Sequence, residues 1–207
     1  MFASKRALLA EAPGCDDVTR RFFDLNIDVY VPDRWYLAAP THPSGQEIDD
    51  IWRFFGGDPV ELHERLRIPI YRPGRPLDFT TAGAGRTPIL SEGAASVLRE
   101  LAPSDVQLFE VEVEGQHEPY FIFNAARRLR CIDDAACEEV RLYTAEGVQA
   151  HRAGEYRAVH GLRIDKSKVG DARVFRLWGW SPPIIVDDEI KDALERSGIV
   201  GGQFDEV

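Results

Sequence analysis

Cys131, Asp133, Asp134, Cys137 and Glu138 form the densest group of potential metal ligands in this sequence. Zinc is held by closely paired thiolates completed by a second pair or by histidines. Here the two thiols stand six residues apart with no second pair, so the expectation is small packed cysteines beside a turn. The five histidines, His42, His63, His117, His151 and His160, show no ligand spacing and no H-E-x-x-H. No metal and no cofactor is expected. Ser91 lacks the G-x-S-x-G setting of a hydrolase nucleophile and stands just before a helical pattern, where a serine caps the helix. Gly83-Ala84-Gly85-Arg86-Thr87 has glycines but no lysine, and Pro88 disfavours a direct run into a helix, so a phosphate loop is not expected. Acidic side chains are abundant, but the sequence fixes no working separation between any two. No catalytic residue is expected.

The surface remains. Glu110, Glu112 and Glu114 alternate along one strand face, where three like charges must be solvated or meet cations. Trp178 and Trp180 stand beside Pro182-Pro183, and aromatics at a loop edge are common anchors of interfaces. These five residues are the candidate partner-binding set. An alternative is an anionic small ligand, bound or turned over between the arginine-bearing loop Arg72–Arg86 and the Cys131–Glu138 segment. Acids outnumber bases by 35 to 25, a formal charge of −10. That repels a nucleic-acid backbone and attracts a basic partner at long range. The cysteines, Cys15, Cys131 and Cys137, are odd in number and suit a reducing compartment. Lys5-Arg6 followed by Ala7-Leu8-Leu9-Ala10 imitates a signal peptide, but Glu11 ends the apolar run well short of the about 7–15 residues such a signal uses. No window approaches the roughly 20 apolar residues of a membrane span. The expected location is cytoplasmic.

The elements that must position these residues follow from periodicity. Residues 1–26 have no clean period and read as an arm or helix. Ile27–Val31 alternates as a strand, with a second at Trp35-Tyr36-Leu37. Ser44 and Glu47 make a capping box ahead of Ile48, Ile51, Trp52 and Phe55, predicting a helix that ends at Gly56-Gly57. Asp58-Pro59 opens a second short helix carrying Leu62 and Leu66. From Ile68 to Pro88 a strand gives way to a long loop. Pro88-Ile89-Leu90-Ser91 then leads into a helix with Ala94, Val97, Leu98 and Leu101 on one face. Pro183-Ile184-Ile185-Val186-Asp187 leads in the same manner into Ile190, Ala193 and Leu194. The parallel suggests two related αβ halves. Between them Val106–Glu114, Tyr120–Asn124, Tyr156–Ile164 and Arg173–Trp178 read as strands, with a bulge expected near Leu108-Phe109. The fold class is α+β, a mainly antiparallel sheet with amphipathic helices packed on it. An N-terminal arm and first strand (1–34) precede the main domain (35–207).

A series of short motifs runs through that domain in a fixed order. Trp35-x-Leu37 is followed by Gly45, Asp49, Trp52, Phe54 and Gly57, then Leu77-Asp78-Phe79 and Pro88-Ile89-Leu90-Ser91-Glu92. Asp105-Val106-Gln107, Tyr120-Phe121-Ile122, Asn124 and Cys131-Ile132-Asp133 come next. Tyr156-Arg157, Ile164-Asp165, Phe175-Arg176, Ile185-Val186, Ile190-Lys191, Gly201 and Phe204 complete it. In this order the chain resembles the immunity-protein family numbered eleven, the myxobacterial-type immunity proteins of bacterial polymorphic toxin systems. Cys137 departs from it, standing where a serine is expected. The resemblance implies a non-catalytic protein that binds a cognate toxin domain in the cytoplasm of the producing cell. It implies no catalytic residue.

Overall fold

A computed structural model describes residues 20–84 and 86–207. The arm or helix expected in the first residues, with Cys15, lies outside the described residues. The strands and helices run in the order β1 (Phe22–Ile27), β2 (Tyr36–Leu37), β3 (Arg67–Ile68), β4 (Ile70–Arg72), β5 (Phe79–Ala82), β6 (Thr87–Ser91), α1 (Glu92–Leu101), β7 (Val106–Val113), β8 (Tyr120–Ala125), β9 (Arg128–Leu129), β10 (Glu139–Leu142), β11 (Tyr156–His160), β12 (Val174–Leu177), β13 (Trp180–Asp187), α2 (Asp188–Arg196) and β14 (Gly202–Glu206). Most pairings are antiparallel, as the α+β reading requires.

Seven strands form one sheet in the order β3-β7-β8-β6-β5-β2-β4. Only Pro69 separates β3 from β4 in the chain, yet they stand at opposite ends of this order. The stretch 67–72 pairs with β7 on one edge (Arg67↔Glu112, Ile68↔Val113) and with β2 on the other (Tyr36↔Arg72, Leu37↔Ile70). The sheet therefore closes on itself as a small barrel and leaves no free edge there. A second, open sheet runs β14-β1-β13-β12-β9, and β10-β11 is a separate hairpin.

Two halves share one plan. In the barrel, β6 leads through α1 to β7, and β8 lies between β6 and β7, antiparallel to both. In the open sheet, β13 leads through α2 to β14, and β1 lies between them, antiparallel to both. Each strand ends on the residue that caps its helix. Ser91 Oγ accepts from the Ala94 N–H, and Asp187 Oδ1 accepts from the Ile190 N–H at 3.0 Å. Each post-helix loop also docks on the other half. Asp78 accepts from the Val200 N–H at 2.9 Å, and Asp105 accepts from the Arg173 N–H at 2.7 Å.

The apolar side chains divide into three cores. Leu98, Ile190 and Leu194 of the helices meet Leu25, Leu90, Phe123 and Val186 between the two sheets. Trp35, Phe54, Leu66, Ile68, Ile89 and Ile122 fill the barrel. Phe22, Cys131, Ile164, Phe175 and Ile185 lie under the outer face of the open sheet. Fully burying a side chain of this kind stabilises by roughly 1.5–3 kcal/mol, so these cores dominate the favourable side of folding.

Four expectations are corrected. The first strand is Phe22–Ile27, not Ile27–Val31, where Val29 and Tyr30 are exposed. Its pattern is hidden because both faces are covered, Phe22 in the outer core and Phe23 and Leu25 in the central one. Neither helix between Ser44 and Leu66 forms. Ser44 Oγ receives the Gln46 N–H and Asp50 Oδ1 the Trp52 N–H, so local side-chain turns take the backbone instead. From this stretch the barrel buries Ile48, Phe54, Val60 and Leu66, a spacing no single helix face provides, with Leu62 packed against them. Gln107 and Asn124, cross-strand neighbours on β7 and β8, then fix it. Gln107 accepts from the Val60 N–H at 2.7 Å and donates to its carbonyl at 3.1 Å, while Asn124 donates to the Asp58 carbonyl at 2.9 Å. The loop expected before Pro88 contains β5. Finally, β7 pairs with β8 without interruption from Val106 to Val111, so there is no bulge at Leu108. Val106 and Leu108 pack toward the central core and Phe109 and Val111 toward the barrel core, because both faces of β7 are covered at this end.

Candidate functional site

Beyond the cover of α1, β7 turns one face to solvent. Glu110, Glu112 and Glu114 share a face with Val106 and Leu108, but all three are exposed. The cations they require come from the chain itself. Arg65 Nη2 lies 2.8 Å from Glu110 Oε1, and Arg67 Nη2 lies 3.0 Å from Glu112 Oε1. Glu114 Oε2 accepts from the Ile70 N–H at 3.0 Å. The parallel β3-β7 register brings the two alternations, Arg65-x-Arg67 and Glu110-x-Glu112, side by side. Three carboxylates thus face two guanidiniums. All four paired side chains are about half exposed, so solvent screens each pair to a small value. Beside this ladder is a crevice of about 190 Å³ lined by Thr41, Gly45, Arg67, Ile68, Pro69, Glu112 and Glu114.

The same wall continues across β4 and β2. Tyr36 has two cations near its ring, with the Arg34 guanidinium carbon 4.4 Å and that of Arg72 5.7 Å from its centre. Tyr71 is 81% exposed. It sits on β4 between Ile70, which turns toward the barrel core, and Arg72. Trp52, half exposed, stands apart from this wall and meets Phe55 edge to face at 5.5 Å, beside the crevice between the two sheets. Tyrosine, tryptophan and arginine are the residues that most often carry binding energy at protein interfaces. The wall therefore combines large, stiff aromatic surface with charges that can exchange partners.

Trp178 and Trp180 belong elsewhere. They flank Gly179, which turns the β12-β13 hairpin with φ +74°. The Arg130 guanidinium lies over Trp178, 3.2 Å from its ring centre, and Trp180 packs against the outer core of the open sheet. Both rings are half-buried. The structure thus keeps the three glutamates together on the barrel and holds the two tryptophans together on the other sheet. Tyr36, Tyr71, Arg65 and Arg67 escaped the sequence reading. Their only signal was the Arg65-x-Arg67 alternation, and nothing in the chain announces a parallel pairing with β7.

Among the described residues no three His, Cys, Asp or Glu side chains gather to hold an ion. Cys131 is buried and Cys137 half-buried. Burial, and then the nearby Asp165 charge, push the Cys131 thiol up to about 12, which opposes the thiolate that a metal or a nucleophile needs. Arg72 lies on the barrel wall while Cys131 packs under the open sheet, so the two proposed walls of an anionic-ligand pocket line different parts of the molecule. Among the described residues no helix is long and apolar enough to cross a membrane.

The sequence matches an immunity protein family, Imm11, over residues 24–207. The chain belongs to that family. The match begins within β1 and runs to the last residue, so the Imm11 fold here takes in both sheets, both helices and the irregular segments that fill the barrel and cover the open sheet. No curated protein matches the chain.

Proposed function

We propose that this Imm11 protein neutralises a cognate toxin domain by binding and occluding it, without catalysis, in the cytoplasm of the producing cell. Membership of an immunity family over residues 24–207 carries the reading. The barrel wall is the binding face, with Tyr71 and Tyr36 as anchors and the Arg65–Glu110 and Arg67–Glu112 ladder as its polar rim. A formal charge of −10 suits a basic toxin, drawn in at long range and more weakly in high salt. The glutamate stripe contributes through exchange, as basic side chains of the toxin displace Arg65 and Arg67.

Co-expression with the toxin domain encoded beside this protein should restore growth, and the two should co-elute as a stable complex from a sizing column. Cells that still die, with no complex formed, sink the proposal. Within it, Tyr71→Ala should weaken the complex by about 30-fold, the loss of one interface anchor, while leaving the thermal melt of the free protein unchanged. Full affinity after that substitution moves the interface off the barrel wall.

A further inference from the structure

Arg176 stands in the middle of β12, a strand whose four residues are all buried, and it is itself only 1% exposed. Neighbouring Phe175 and Leu177 fill the outer core, so alternation turns the arginine the other way, into the space between the two sheets. Its stem is closed in by Gly57. That glycine has φ +82°, and a Cβ there would stand 2.7 Å from Arg176 Cβ. At the guanidinium, Nη1 donates to the carbonyls of Ser181, Pro182 and Pro183 at 3.0, 3.0 and 3.2 Å. Nε is buried and has no partner among the described residues. A buried donor without an acceptor costs about 1–3 kcal/mol, so an unfilled Nε–H calls for one.

The charge is unbalanced as well. Asp24 is the carboxylate that attracts Arg176, but no ion pair forms between them within 4.0 Å. Asp24 is engaged with the Ile184 N–H at 3.1 Å and Asn26 Nδ2 at 2.9 Å, and burial raises its pKa. Burial also pulls Arg176 down to about 10, with the Phe55 ring centre 5.3 Å from its guanidinium carbon. A second guanidinium, that of Arg86, adds like charge. Both arginines line one inter-sheet crevice, together with Asn26 and Thr81 and, on the apolar side, Phe55 and Pro182. Its free space is about 20 Å³, enough for one water-sized particle and too little for a metabolite.

We propose that this crevice binds one small, halide-sized anion between Arg176 Nε–H and the Arg86 guanidinium. The anion supplies the missing acceptor and the missing negative charge, and it links β12 and β13 of the open sheet to β5 and β6 of the barrel. The site is separate from the barrel wall and does not depend on what the wall binds.

The test is thermal melting of the whole protein at constant ionic strength, with sodium gluconate, whose anion is too large for the crevice, replaced stepwise by sodium chloride or bromide. The melting temperature should rise saturably, by about 3 °C at ten times the dissociation constant. Arg86→Gln removes the second cation but keeps the three carbonyl bonds of Arg176, and it should abolish the saturable rise while leaving any general salt effect common to both proteins. Equal melting of the unaltered protein in both salts, or an undiminished rise in Arg86→Gln, overturns the proposal. Anomalous scattering from bromide-soaked crystals locates the ion. A peak between Arg86 and Arg176 supports the site, and peaks confined to other places refute it.

Discussion

The β6-α1-β7 half and the β13-α2-β14 half are built alike but completed differently. The strand that fills the gap between β6 and β7 is β8, which follows β7 directly through a short turn. The strand that fills the gap between β13 and β14 is β1, brought from the other end of the described chain. The first half is assembled from local contacts, and the second waits for a long-range one, which carries a higher loop-closure cost. The first half then goes on to close into a barrel through residues 67–72, whereas the second keeps two edges, β14 and β9. The wall with exposed aromatics is on the closed half. A closed sheet fixes its outer face without offering unpaired backbone to other chains.

Removing β1 should break the comparison most severely. A chain beginning at Asp28 leaves β13 and β14 without the strand between them and should lose its cooperative melt by circular dichroism. Moving residues 20–27 to follow Val207 through a short linker should restore it, because Glu206 already pairs with Phe23 and the Val207 N–H donates to the Phe22 carbonyl at 3.0 Å. If the permuted chain stays unfolded, β1 is no counterpart of β8.

The caps separate the halves more finely. Asp187 is buried and serves both as cap and as the acceptor for Arg173 Nε at 2.8 Å and Arg20 Nη2 at 3.2 Å. Asp187→Ala should cost about 3 kcal/mol in urea unfolding, since it strands the partly buried Arg173 as well as uncapping α2. Ser91→Ala should cost only about 1 kcal/mol, because Ser91 caps α1 with a neutral hydroxyl that in turn donates to Asp78 at 2.7 Å. Equal costs would mean that the ion pairs around Asp187 add nothing.

The smallest effect is expected on the wall. A double-mutant cycle on Arg67 and Glu112 in the free protein should give a coupling of about 0.5 kcal/mol or less, since both side chains are about half exposed. A coupling of several kcal/mol would make the ladder part of what closes the barrel and not a surface free to exchange partners.

Much of the repeated plan was legible. Ser91 and Asp187 each stand between an apolar strand and an amphipathic stripe, and both are local signals. The failures cluster where a segment's environment is set from afar. The stripe Ile48, Ile51, Trp52 and Phe55 has helical spacing, yet the barrel takes Ile48 and Phe54 and leaves Trp52 half exposed. In β1 and in the first half of β7, burial on both faces erases the alternation that marks a strand with one wet side. The glutamate stripe was visible as a pattern. Its neutralising arginines were not, because Arg65 and Arg67 reach it through a parallel pairing some 45 residues away in sequence.

By itself the sequence determined the fold class, the two strand–cap–helix units, the outward face of Glu110, Glu112 and Glu114, and the family. Each is written in neighbouring residues, through period, cap chemistry or motif order. Only the tertiary structure decided that residues 67–72 close a barrel, that Tyr71 and Tyr36 join the glutamates on one wall, and that Arg176 and Arg86 line one crevice between the sheets. Those are pairings between distant strands, and a strand's own residues state which faces are apolar without stating which partner will cover them.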